Sequence, residues 1–220
     1  MHKKSHLEER LEACRGILTI ADLGQKNMKL AAMQRALFNF GEIFSNSNPV
    51  HLEIGCGKGG FVNKMAFLHP DINFIAVEKI SNVMIEACES ALSLGLENVH
   101  FLICAAEVLQ KYIPEHSVER IYLNFSNPLP KQGYVKQRLT NPRFINIYKT
   151  LLKEEGEIWQ KTDDEPFFDY SLESFKECGC TILSVCRDLA ASPFEDNVIT
   201  EHEQKFMDMG KKIYRAVIRV

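Results

Sequence analysis

Short apolar runs alternate with amphipathic stretches along most of the chain. Runs rich in aliphatic and aromatic residues occur at Val50–Ile54, Asn73–Val77, Val99–Ile103, Glu119–Phe125 and Gly156–Lys161, and their length suits buried strands. Between them Phe61–Leu68, Asn82–Leu94, Ala106–Tyr112, Pro142–Leu152 and Glu165–Cys178 repeat apolar positions at helical spacing, with Pro70, Gly95, Pro114 and Gly156 as stops. Two more β-rich runs, Cys180–Asp188 and Lys211–Val220, flank one helical segment and are placed to pair as an antiparallel edge. The alternation predicts a Rossmann-like, doubly wound α/β sheet of seven strands, mostly parallel.

The first 45 residues read differently. Leu7–Leu18 and Asn27–Phe40 have helical apolar spacing, and the segment carries the cations Lys3, Lys4, Arg10, Arg15, Lys26, Lys29 and Arg35. They predict an N-terminal helical extension over residues 1–45, ahead of one domain over 46–220. A chain of 220 residues, 45% hydrophobic and 25% charged, is long enough to bury a full core. With no secretory signal and no run of about 18 apolar residues, the expected location is the cytoplasm, away from membranes. The seven cysteines are scattered except for Cys178 and Cys180, and no second pair completes a zinc site, so reduced thiols and no metal are expected.

The chemistry begins at His51–Phe61, HLEIGCGKGGF, where an apolar run stops at glycines. Glycines let the backbone turn tightly, and the next helix points its free N–H groups at a ligand. Glu78 ends the following run 21 residues beyond Gly57, where a carboxylate can take both hydroxyls of a cofactor ribose. Gly55, Gly57 and Gly60 also spell a dinucleotide-binding pattern. Glu53, two residues before the first glycine, favours a cationic sulfonium and its amino group over a pyrophosphate, hence S-adenosyl-L-methionine over NAD.

A second feature is YLNFSNPLPK, Tyr122–Lys131, at the end of the fourth strand, because ligands in open α/β sheets bind beyond the strands' carboxyl ends. Asn124 and Ser126 are placed to line a cofactor and Asn127 to face the methyl acceptor; the plainer reading is a rigid proline crossover. The net charge is −3, yet Ser126–Lys153 holds six cations (Lys131, Lys136, Arg138, Arg143, Lys149, Lys153) and no acid. That segment is either a phosphate-facing surface or a solvated one.

Taken in order, LEIGCGKGGF, FIAVEK, YLNFSNPLPK, RLTNPRF, GEIWQKTD and TEHEQKF resemble the bacterial tRNA guanine-7-methyltransferase family from about residue 48 to 215. The resemblance implies the seven-stranded S-adenosylmethionine-dependent methyltransferase fold. It also implies methylation of a guanosine in the tRNA variable loop, guanine-46, by an enzyme acting as a monomer or homodimer. On this resemblance Glu53, Gly55, Gly57, Glu78, Lys79, Ala105, Ala106 and Asn124 serve the cofactor. Lys131, Asp163, Thr200, Glu201, His202 and Glu203 serve the substrate, and Asn127 takes the catalytic position. Asp163 has a rival role as the cap of the helix opening at Glu165, and Thr200 with Glu203 spells a capping box.

Three departures from the family pattern stand out. Asn127-Pro128-Leu129 replaces Asp-Pro-aromatic, Cys104-Ala105-Ala106 replaces an acid near the adenine edge, and Asp188–Ser192 lacks a histidine common in relatives. Nitrogen 7 of guanine carries no proton, so a general base is not obligatory; alignment and charge stabilisation are. A catalytically silent tRNA-binding module and a methyltransferase of another substrate are the rival functions.

Overall fold

The computed structural model describes residues 4–21, 36–192 and 197–220. Helix α1 (Leu7–Ala13) leads into β1 (Leu18–Ile20), and helix α2 (Phe40–Phe44) precedes the central strand β2 (Val50–Ile54). Then follow α3 (Gly60–Leu68), β3 (Asn73–Glu78), α4 (Ser81–Ser93), β4 (Val99–Ile103), a 3-10 turn at Ala106–Lys111, and β5 (Val118–Asn124). A second 3-10 turn (Gln132–Gln137) leads to α5 (Pro142–Leu151), β6 (Leu152–Thr162), α6 (Glu165–Glu177), β7 (Thr181–Cys186), α7 (Glu201–Asp208) and β8 (Tyr214–Arg219).

The strands form one sheet in the order β1-β4-β3-β2-β5-β6-β8-β7. Neighbours from β1 to β6 run parallel, while β8 lies antiparallel to both β6 and β7, so the closing pair forms the expected antiparallel edge. Among the described residues the sheet has eight strands rather than seven. The addition is β1, whose Leu18–Ile20 pairs in register with Phe101–Ile103 of β4. The helix expected over Leu7–Leu18 stops at Ala13, because the open edge of β4 offers Leu18–Ile20 backbone partners that a longer helix would forgo. Of the helix expected over Asn27–Phe40, residues 27–35 lie outside the described residues. Residues 36–39 are not helical, and Asn39 caps α2 by accepting from the Gly41 amide at 3.2 Å. Ala106–Tyr112, expected as a helix, is the shorter 3-10 turn.

Alternate residues of the strands feed two apolar layers. Ile75, Val77, Leu102, Ile121 and Ile158 meet Phe144, Tyr148, Phe168 and Phe175 from α5 and α6 on one face. Phe74, Ala76 and Phe101 meet Phe61, Met65, Met84 and Leu7 from α3, α4 and α1 on the other. Both faces of β2 to β4 are thereby covered, which leaves the carboxyl ends of the strands as the place where ligands gather. The order reverses between β2 and β5, where Glu53 and Asn124 meet.

Candidate active site

At that switch point, Asn124 Nδ2 of β5 donates to Glu53 Oε1 of β2 at 2.9 Å. Glu53 is 2% exposed, and its second oxygen is buried without a hydrogen bond. Burial pushes its carboxyl up to about 7, against smaller pulls from the Asn124 amide, the Lys161 ammonium and the Val62 N–H. A buried carboxylate with an idle oxygen is a receptor for a cation.

The chain leaves β2 through a glycine turn. The Gly55 and Cys56 amides both donate to the Val77 carbonyl, at 2.8 and 3.0 Å, folding the turn against β3. Gly55 and Gly57 take φ of +84° and +58°, in the region that favours glycine. The tightest position is Gly59, which begins α3 from φ +80° and where a Cβ would stand 2.6 Å from Ala87 Cβ.

Two cavities open around this turn. The first is bounded by Glu53, Gly57, Val83, Asn124, Thr200 and His202, the second by Glu78, Lys79, Ala105, Ala106, Asn127 and Leu129. Gly55 and Phe125 line both. Glu78 is half-buried and accepts from the Ile80 amide at 3.0 Å, while Lys79 is exposed at the rim. Asn127 is exposed, and its Oδ1 accepts from the Leu129 amide at 3.2 Å in a turn where Leu129 has φ +45°.

The residues expected at the substrate side are more dispersed. Thr200 caps α7 in a complete capping box with Glu203. Glu203 is 1% exposed, and its oxygens are taken by Lys161 at 2.9 Å and Asn197 at 2.6 Å. Burial lowers the Lys161 pKa, with Glu203 opposing it. Glu201 opens α7, and the exposed His202 stacks on Phe125 with ring centroids 6.1 Å apart. Asp163 pairs with Lys211 at 2.7 Å and does not cap α6. Asp164 does, accepting from the Phe167 amide at 2.8 Å. Asp163 and Glu203 line neither cavity.

The basic segment divides in two. Arg143 pairs with Glu107, Lys153 with Glu119 at 2.8 Å, and Lys149 donates to the Cys178 carbonyl. Arg138 lies over the Tyr170 ring at 4.4 Å. Lys131 and Lys136, at the two ends of the second 3-10 turn, are exposed and make no ion pair among the described residues. Among those residues no cluster of three or more metal-ligating side chains occurs, and no helix is long and apolar enough to cross a membrane.

Sequence reasoning missed Phe125 and Lys161. Both sit inside motifs it used, but an aromatic residue and a lysine at strand ends announce nothing until their neighbours are known.

A mostly parallel sheet with a glycine turn after its central strand, acids near the ends of β2 and β3, and a polar loop across the switch point define a Rossmann-like methyltransferase. A family model described as "Putative methyltransferase" matches residues 47–216. The fold is similar to a solved "antibiotic related Methyltransferase" at TM-score 0.63 and 19% identity, over 82% of this chain and 92% of that one. The tRNA (guanine-N(7)-)-methyltransferase of Geobacillus sp. (strain WCH70) is 43% identical over 81% of this chain and 81% of its own length. That of Geobacillus kaustophilus (strain HTA426) is 45% identical over 80% and 81%. The chain belongs to the tRNA (guanine-N(7)-)-methyltransferase family.

Proposed function

We propose that this chain methylates nitrogen 7 of guanine in tRNA with S-adenosylmethionine as donor, and that the target is guanine-46 of the variable loop. The observation that carries the reading is the idle, buried oxygen of Glu53 beside the glycine turn, which fits the cationic end of this cofactor. When bound, S-adenosylmethionine supplies an electrophilic methyl group on a cationic sulfur.

The residues present suit the two ends of the cofactor. Glu53, braced by Asn124, receives the cationic methionine end in the first cavity, where Gly55 and Gly57 let the backbone approach. Glu78 takes the ribose hydroxyls in the second, and Ala105 and Ala106 leave space at the adenine edge, with Lys79 at the rim. Guanine nitrogen 7 carries no proton, so no side chain would have to remove one. Asn127, at the edge of the second cavity, orients the acceptor. Asp163 offers its remaining oxygen to the guanine N–H groups, while Glu203 is occupied in holding α7 and so positions Thr200, Glu201 and His202. Lys131 and Lys136 hold phosphates. A cytoplasmic location follows from a tRNA substrate.

The test is transfer of labelled methyl from S-adenosylmethionine to an unmodified tRNA transcript, with the variable-loop guanosine mutated as control and the product nucleoside identified by mass. The expected result is 7-methylguanosine on the intact transcript alone. Binding of cofactor and tRNA without transfer would instead support the silent module that Asn127, in place of an acid, allows.

A further inference from the structure

We infer that Phe125 is a catalytic residue whose ring packs against the sulfonium and the methyl group in transfer; this rests on the reading that the two cavities hold the two ends of S-adenosylmethionine. A cofactor with one end in each cavity would carry the sulfur that joins them past the residues that line both. Among the described residues those are Gly55, which has no side chain, and Phe125.

The backbone supports a special role. Phe125 has φ +50°, a region an aromatic side chain rarely adopts, and such outliers gather where geometry is dictated by function. The surroundings hold it there. Its amide donates to the Lys161 carbonyl at 2.8 Å, and its ring meets His202 at 6.1 Å and Phe206 at 5.7 Å. The consequence of the unusual φ is that the ring borders the cavities at the end of β5 instead of continuing the strand's alternation.

The chemistry supplies a reason for an aromatic wall. As the nitrogen lone pair forms the new N–C bond, the C–S bond pair passes to sulfur, a neutral thioether leaves, and no proton moves. The positive charge is therefore never lost during transfer; it moves from sulfur to the purine. A ring face beside the path attracts the charge at both ends of the step. Position 127 carries a neutral amide here, and Asp163 is engaged by Lys211, so neither offers a full free charge to that path.

The test compares a charged with a neutral ligand. Dissociation constants for S-adenosylmethionine and for its neutral thioether product, S-adenosylhomocysteine, are measured by calorimetry on the unaltered protein, Phe125→Leu and Phe125→Tyr. In Phe125→Leu, affinity for the sulfonium form falls by roughly fivefold more than for the thioether form, and Phe125→Tyr restores the ratio. Phe125→Met, which also lacks the ring but keeps its bulk, gives the same shift and serves if the leucine variant does not fold. Equal weakening of both ligands, or no change, would overturn the inference while leaving the functional reading in place. Binding of neither ligand to the unaltered protein would overturn both.

Discussion

Replacing Glu53 by glutamine separates the cofactor's needs from the fold's. The Glu53 carboxyl titrates at about 7 in the folded chain, against an ordinary value of 4.5. The pKa is raised, so the folded state holds a proton that the unfolded state releases between these values. Its contribution to stability is fully present below pH 4.5 and is lost as pH rises toward 7. Above pH 7 the buried carboxylate leaves the ligand-free protein less stable by roughly 3 kcal/mol, at about 1.4 kcal/mol per unit. The groups around the carboxyl are Asn124 of β5, Lys161 of β6, the Val62 N–H of α3 and the Cys56 thiol, and the same four remain in the variant. A glutamine amide oxygen at this position would still accept from Asn124 without the cost of a buried charge. At pH 8, Glu53→Gln should melt higher by roughly 6–12 °C, at about 2–4 °C per kcal/mol for a chain of this size. At pH 5 the two melting points converge. Cofactor binding should show the reverse. Calorimetry on the unaltered protein should give an affinity for S-adenosylmethionine that falls by up to about tenfold per unit below pH 7, with proton release on binding, and Glu53→Gln should bind weakly at every pH. A lower melting point for Glu53→Gln at pH 8, or unchanged cofactor affinity, would refute the assignment of the idle oxygen as a cation receptor.

Four further outcomes can be checked. Gly59→Ala places a methyl 2.6 Å from Ala87 Cβ at φ +80° and should cost roughly 2–4 kcal/mol in urea unfolding, whereas Gly95→Ala, with open space at φ +64°, should cost about 1 kcal/mol. Lys161→Met strands the buried Glu203 carboxylate and should destabilise by about 3–5 kcal/mol, with much of the loss recovered in Lys161→Met/Glu203→Gln when both are melted in parallel. Asn127→Asp keeps an acceptor for the Leu129 amide and should hold or raise turnover, while Asn127→Ala should lower it; equal steady-state rates in all three proteins would remove Asn127 from the mechanism. Lys131→Ala and Lys136→Ala should each reduce the salt slope of tRNA binding by about 0.7–0.9, and a slope that does not move would free those side chains from phosphate contact.

Much of the site was legible from local order. The glycine turn, the acids at 53 and 78 and the polar loop after β5 lie within a few residues of strand ends that apolar runs mark, and a strand end fixes which way its neighbours face. The Thr200–Glu203 box could be read because both partners belong to one helical turn. The run of cations from Lys131 to Lys153 was equally visible. Which of them stay free was not, because Glu107 and Glu119, which claim two, sit at separations of 36 and 34 residues.

By itself, then, the sequence determined the parallel core, its order of strand and helix, the glycine turn after β2 and the family. These follow from period, spacing and residue type, which are properties of neighbouring positions. Tertiary structure alone decided that Leu18–Ile20 becomes a strand, since a three-residue run gains its hydrogen bonds only from the edge of β4. It also turned Glu203 inward to Lys161, left one oxygen of Glu53 idle, and held Phe125 at the junction of two cavities. Those outcomes depend on desolvation and on partners tens of residues away, and pattern along the chain carries no record of either.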